Sequence, residues 1–146
     1  MTSNPKKKRN VLVLEDEAFI AMMLQDELEA LGIHVIGPVN NLKSAITLAE
    51  TSELDGALLD LNINGTYATE VANKLRARDI PFIFVTGYDR PAGLRYREVT
   101  VLHKPFTQIE LRTALISRKR FSDPTLMLAR ATRQNSRLFG GKVSHI

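Results

Sequence analysis

Five side chains that are far apart along the chain could do chemistry together. They are the carboxylates Glu15, Asp16 and Asp60, the hydroxyl of Thr86 and the ammonium of Lys104. Three carboxylates brought to one place repel one another unless a cation sits among them. A hard divalent ion with oxygen ligands, Mg²⁺ most naturally, answers that need. No histidine or cysteine is expected at the strand exits that bring these groups together, which argues against zinc. A carboxylate can also be a covalent nucleophile and form an aspartyl phosphate. The oxygens so gained need neutralising, and Lys104, Thr86 and the cation offer a point charge, a donor and the remaining charge. Phosphoryl transfer asks for little beyond such positioning and charge stabilisation.

Each residue also has a plainer reading. Glu15 and Asp16 could cap the helix that opens beside them, and Asp60 could be a turn former. Thr86 could be a turn hydroxyl, and Lys104, which precedes a proline, a surface lysine. The elements that must position them decide the matter. Residues 11–14 form a short apolar run, which predicts a buried strand leading into Glu15-Asp16-Glu17. Ile20, Leu24, Leu28 and Leu31 then recur at helical spacing, with Gly32 as the C-terminal stop. A second strand is predicted over 33–36, ended by Gly37-Pro38, and a second helix on Leu42, Ala45, Ile46 and Ala49.

The run 57–61 is the central strand and carries Asp60. Asn64-Gly65 turns the chain, and Val71, Ala72 and Leu75 mark a third helix. A fourth strand over 81–85 leads to Thr86-Gly87, with Pro81 at its first residue, where a missing N–H is tolerated. The stretch 90–97 is basic and holds Pro91 and Gly93, so any helix there is short and poorly specified. A fifth strand over 99–102 ends in His103-Lys104-Pro105, and Leu111, Ala114 and Leu115 define the last helix of the unit. Strands alternating with helices call for a doubly wound α/β fold, one parallel sheet with helices on both faces. In that topology strands one, three, four and five deliver their exits to one edge, the edge where such sheets bind ligands.

Composition sets bounds on this reading. At 146 residues, 44% hydrophobic and 25% charged, the chain is ordinary for a globular domain. No apolar stretch is long enough to span a bilayer and no secretory pattern opens the chain, so a cytoplasmic protein without membrane partners is expected. With no cysteine there is no disulfide frame and no thiol chemistry. The net charge of +4 hides a partition: residues 1–10 carry +4, residues 117–146 carry +6 and residues 11–116 carry −6. The basic pI therefore describes the two ends, and a nucleic-acid partner does not follow from it.

The quoted residues resemble the receiver domain of two-component response regulators from about Asn10 to Arg118. The resemblance rests on the Glu15-Asp16 pair, Asp60 at the third strand's end, Thr86 after Phe84-Val85, and Lys104-Pro105. It implies a flavodoxin-like, CheY-like (βα)5 fold with strand order 2-1-3-4-5. It further implies that Asp60 accepts phosphate from a histidine on a sensor kinase or phosphotransfer protein. Asp16, Asp60 and the backbone carbonyl of Asn62 would hold Mg²⁺, with Glu15 acting through water, and Lys104 and Thr86 would read the phosphorylated state. Phe84-Val85-Thr86-Gly87-Tyr88 is similar to the FATGUY subclass of alphaproteobacterial receivers, whose usual partners are kinases of the HWE and related types. Two departures stand out. Val101 occupies a position where receivers carry Tyr or Phe, and the loop after Asp60 reads Asn62-Ile63-Asn64-Gly65 without the usual proline. Signalling is then expected to run through ordering of 88–97, with Tyr88 as the local aromatic, while Asn62, Gly87 and Tyr88 set the lifetime of the phosphate.

Residues 1–9 read as a basic disordered arm, 10–119 as the receiver and 120–146 as a basic extension with helical signals between Asp123-Pro124 and Gly140-Gly141. About 28 residues follow Arg118, too few for a DNA-binding domain with its own core. Output is expected through contacts with another protein or by acting as a phosphate sink, with no enzymatic turnover beyond self-phosphorylation and self-dephosphorylation. Two alternatives compete. One is nucleic-acid binding by the basic extension, weakened by its having only Phe121 and Phe139 as stacking residues. The other is a phosphohydrolase of the haloacid dehalogenase type, weakened because Asn62, two residues after Asp60, cannot protonate a leaving group. A degenerate receiver is disfavoured, since every acceptor-site residue type is present.

Overall fold

A computed structural model describes residues 8–87 and 99–117. Four of its helices and five of its strands form a doubly wound α/β unit. In chain order these elements are β1 (Asn10–Leu14), α1 (Ala18–Ala30), β2 (His34–Val39), α2 (Leu42–Thr51) and β3 (Gly56–Asp60). There follow β4 (Asn62–Ile63), β5 (Thr66–Tyr67), α3 (Thr69–Ala77), β6 (Phe82–Thr86), β7 (Val101–His103) and α4 (Gln108–Ser117). The main sheet is parallel, with order β2-β1-β3-β6-β7. Once the short β4–β5 pair is set aside, this is the expected order 2-1-3-4-5.

The central strands are buried along their whole length, because helices cover both faces of the sheet. Alternate residues feed two separate clusters. Leu12, Leu14, Leu59 and Phe84 pack with Ala45, Ala49, Val71 and Leu75, so α2 and α3 cover that face. Val11, Val13, Leu58 and Ile83 pack with Leu24, Leu28, Leu111 and Leu115, so α1 and α4 cover the other. Truncating a side chain such as Leu58 to alanine would cost about 3 kcal/mol, since it has no solvent to collapse into.

Helix starts are locally coded. Asn41 Oδ1 accepts from the Ser44 N–H at 2.8 Å and caps α2. Thr107 and Glu110 bond reciprocally at 3.1 Å, a capping box that opens α4. On the α1–α4 face the buried Glu27 carboxylate takes a 3.1 Å hydrogen bond from Arg112 and ties the two helices together.

Three expectations need correction. β2 does not stop at Gly37-Pro38 but continues to Val39. It is an edge strand, where a proline costs no ladder bond, and its register against β1 shifts between Leu12 and Leu14. Leu31 does not join the core face of α1; it is the C-cap residue, 42% exposed, with Gly32 at φ +79° behind it. The fifth strand begins at Val101 and includes His103. The arm before residue 8, the stretch 90–97, Tyr88 and the extension from 118 onward lie outside the described residues. Among the described residues no helix is long and apolar enough to cross a membrane.

Candidate phosphoacceptor and cation site

Sheet register sets the site. Leu14 pairs with Leu59 across β1 and β3, so Glu15 comes level with Asp60 one residue later. Asp60 pairs with Val85 on β6, and Thr86 pairs with His103 on β7, so Lys104 emerges beside Thr86. Two backbone bonds fasten these exits: the Glu15 N–H to the Val39 carbonyl at 2.9 Å and the Lys104 N–H to the Thr86 carbonyl at 2.8 Å.

The acids meet as the spacing suggested. Glu15, Asp16 and Asp60 each offer a carboxylate oxygen, all within 4.8 Å of one another. Into this group reaches one ammonium. Lys104 Nζ lies 2.8 Å from Glu15 Oε1 and 3.2 Å from Asp60 Oδ2, with its side chain largely buried. Its third neighbour is Glu17 Oε1 at 3.4 Å. Thr86 is buried at the same edge. The expectation of no histidine at the strand exits needs correction, since His103 ends β7. It is level with Thr86, exposed and not a member of the acidic group.

The loop after β3 is a miniature hairpin. Asn62 pairs with Tyr67 and Ile63 with Thr66, around Asn64 at φ +52° and Gly65 at φ +89°. Two successive positive φ values are what a tight two-residue hairpin turn demands, and Asn-Gly suits it. Asn62 Oδ1 accepts from the Gly65 N–H at 2.9 Å, while the Asn62 N–H donates to Asp60 Oδ1 at 3.2 Å. The Asn64 N–H points at Asp16 Oδ2, 3.4 Å away. The site opens to solvent through a cleft of about 660 Å³ lined by Asp16, Glu17, Asp60, Asn62, Gly87 and Lys104 among others. Gly87 is not in the left-handed region, and a Cβ there would meet nothing within 4 Å among the described residues. Val101 is half-buried, paired with Phe84 and packed against the α2–α3 cluster.

The charge balance is unequal. Burial pushes the Asp60 carboxyl up to about 7, and the neighbouring Glu15 charge adds to the rise, while Lys104 opposes it. Burial works against the Lys104 charge, but its bonds to Glu15 and Asp60 outweigh that and raise its pKa. One ammonium is shared among several carboxylates, and it does not offset the burial and the Glu15 charge that raise Asp60. The clustered oxygens, hard and anionic, fit a divalent cation of the Mg²⁺ kind. Glu17 is the residue the sequence reading underused. It was visible only as the third acid of Glu15-Asp16-Glu17, with nothing to show that its side chain turns back to Lys104.

A parallel five-stranded α/β sheet whose central strand ends in an aspartate, flanked by an acidic pair, a hydroxyl and a lysine, defines a receiver module. Residues 11–116 match the response regulator receiver domain family, and the chain belongs to it. Several of its relatives are SdrG- and PhyR-type receivers. It is 42% identical to SdrG from Sphingomonas melonis Fr1, whose solution structure superposes with a TM-score of 0.67, covering 75% of this chain and 94% of that one. The receiver domain of PhyR from Erythrobacter litoralis is 27% identical with a TM-score of 0.70, covering 80% and 93%. The phyllosphere-induced regulator PhyR of Methylorubrum extorquens is 32% identical over 76% of this chain, and the match spans only 43% of that regulator's length.

Proposed function

We propose that the protein takes a phosphoryl group onto Asp60 from a phosphohistidine of a sensor kinase, of the HWE or a related type, or of a phosphotransfer protein. An Asp60 carboxylate oxygen attacks phosphorus, the bond from phosphorus to the donor nitrogen breaks, and the donor imidazole keeps the electron pair. Asp16, Asp60 and the Asn62 backbone carbonyl would hold Mg²⁺, with Glu15 acting through water. The cation supplies charge neutralisation for the carboxylates and the transferring oxygens. Lys104 is the protein's own cation at the acceptor and would follow a phosphoryl oxygen, with Thr86 donating its hydroxyl to another. The observation that carries this reading is the Lys104 ammonium shared between Glu15 and Asp60 beside Asp16.

The phosphohydrolase alternative needs a general acid two residues after the nucleophile. Asn62 stands there, and its side-chain oxygen is engaged with the Gly65 N–H. With no leaving-group acid, the module stores a phosphoryl group and passes on its state through contacts with a further protein, or drains it as a sink, without catalytic turnover. Asn62, Gly87 and Tyr88 would govern how fast water reaches the acyl phosphate. The basic extension from 120 would serve protein contacts, not nucleic acid. The test is incubation with Mg²⁺ and acetyl phosphate, read by intact mass. A gain of one phosphoryl unit is expected, lost in Asp60→Asn. Multiple turnover on small phosphate esters would overturn the assignment.

A further inference from the structure

Lys104 meets three carboxylates, and they are not equivalent. An ammonium has three protons to donate. Glu15 and Asp60 are buried, and their side chains have nowhere else to go. Glu17 is different: its contact is the longest at 3.4 Å, and its side chain is 60% exposed. Glu17 is also the N-cap residue of α1, yet its side chain makes no capping bond. Its backbone N–H donates to Glu15 Oε2 at 3.0 Å, which points the residue toward the lysine without using its carboxylate. The carboxylate is therefore free of local structural work, and it lines the mouth of the cleft through which a phosphodonor must arrive.

We infer that Glu17 is a latch on Lys104: its carboxylate holds the third ammonium proton at rest and must leave before that proton can meet an incoming phosphoryl oxygen. This rests on the proposal that Asp60 is the acceptor, and it concerns a positioning residue, since Glu17 acts through Lys104. Releasing Glu17 is the least costly exchange open to the lysine. Its carboxylate swings into water, whereas detaching Glu15 or Asp60 would strand a buried charge. Until it swings away, its charge also repels an anionic donor at the cleft mouth. The latch therefore slows phosphoryl capture from small donors without blocking it. In acetyl phosphate the bond from phosphorus to the acetate oxygen breaks as the bond to Asp60 forms, and acetate leaves with the electron pair. Glu17 takes no part in that exchange of bonds.

The experiment compares wild type, Glu17→Ala and Glu17→Gln in the full chain with Mg²⁺ and acetyl phosphate below saturation, following phosphorylation by mass. An exposed pair of this kind corresponds to roughly a twofold to fivefold rate increase on release. Both variants are expected to gain in that range, Ala more than Gln, because Gln keeps an acceptor oxygen. The gain is expected to shrink at 1 M salt, which a purely structural role would not produce. Equal or slower phosphorylation of both variants would overturn the latch. A second readout does not depend on phosphorylation. The Lys104 Nζ protons, observed by ¹H–¹⁵N correlation in the metal-free protein, are expected to exchange faster with water in Glu17→Ala, and unchanged exchange would overturn the latch by itself. If wild type never gains phosphate while this exchange does change, the acceptor assignment fails and the resting contact stands.

Discussion

The two edges of the sheet treat their polar groups differently. At the edge where the strands begin, several polar groups find single partners. The Asn10 N–H donates to Asp55 Oδ2 at 2.8 Å, its side-chain amide to the Glu53 carbonyl at 2.9 Å, and Arg78 to the Ala49 carbonyl at 2.7 Å. At the edge where the strands end, Glu15, Glu17 and Asp60 share one ammonium, and Asp16 joins them without an ammonium of its own among the described ion pairs. The first arrangement is what stability alone produces. The second costs stability, and a protein keeps such an imbalance where a ligand will complete it. Several carboxylates gathered on one ammonium are thus a better mark of the working edge than charge itself.

The sharpest way to break the contrast is to remove Lys104. Lys104→Met leaves Glu15 and Asp60 as uncompensated buried acids, with an expected loss of about 3 kcal/mol in urea unfolding at pH 8. Added Mg²⁺ is expected to recover much of it, since a cation then supplies the missing charge. A loss that Mg²⁺ does not repair would mean the lysine serves packing.

Next comes pH. Asp60 holds its proton up to about pH 7 when folded and titrates as an ordinary carboxyl when unfolded. Between those two values the folded state binds the extra proton, so metal-free stability falls as pH rises through that window. Mg²⁺ must displace the proton, so its affinity is expected to drop roughly tenfold from pH 8 to pH 6, with proton release on binding by calorimetry. Asp60→Asn removes both effects and is expected to raise the metal-free Tm by a few degrees, about 1 kcal/mol. A flat affinity profile would place the raised proton elsewhere.

The smallest effect belongs to the other edge. Asp55→Ala breaks one half-buried bond to the Asn10 N–H and is expected to cost about 1 kcal/mol, with Mg²⁺ affinity and acetyl phosphate reactivity unchanged. A change in either would show that the edges are coupled through β1 and β3.

Much of the working edge was legible because each of its residues directly follows a strand that announces itself by apolar runs. What escaped was of shorter range. Asn64-Gly65 announced a turn, but two-residue strands on either side carry no periodicity to read. Leu31 fits the helical spacing of α1 but arrives where the helix is already ending. Glu17 looked like one more acid at a helix start, because the rotamer that turns it to Lys104 leaves no trace in sequence. The capping box of Thr107 and Glu110 was present in the letters, at the three-residue spacing such a box requires.

The little hairpin after Asp60 has a practical side. Its turn leans on Asp16 through the Asn64 N–H, and its second strand sets the half-exposed Tyr67 directly across from Asn62. A phenol therefore stands one rung from the carbonyl proposed to grip the ion, in a chain with three tyrosines and no tryptophan. Loading of the pocket can be followed by light, using an emitter the molecule already owns.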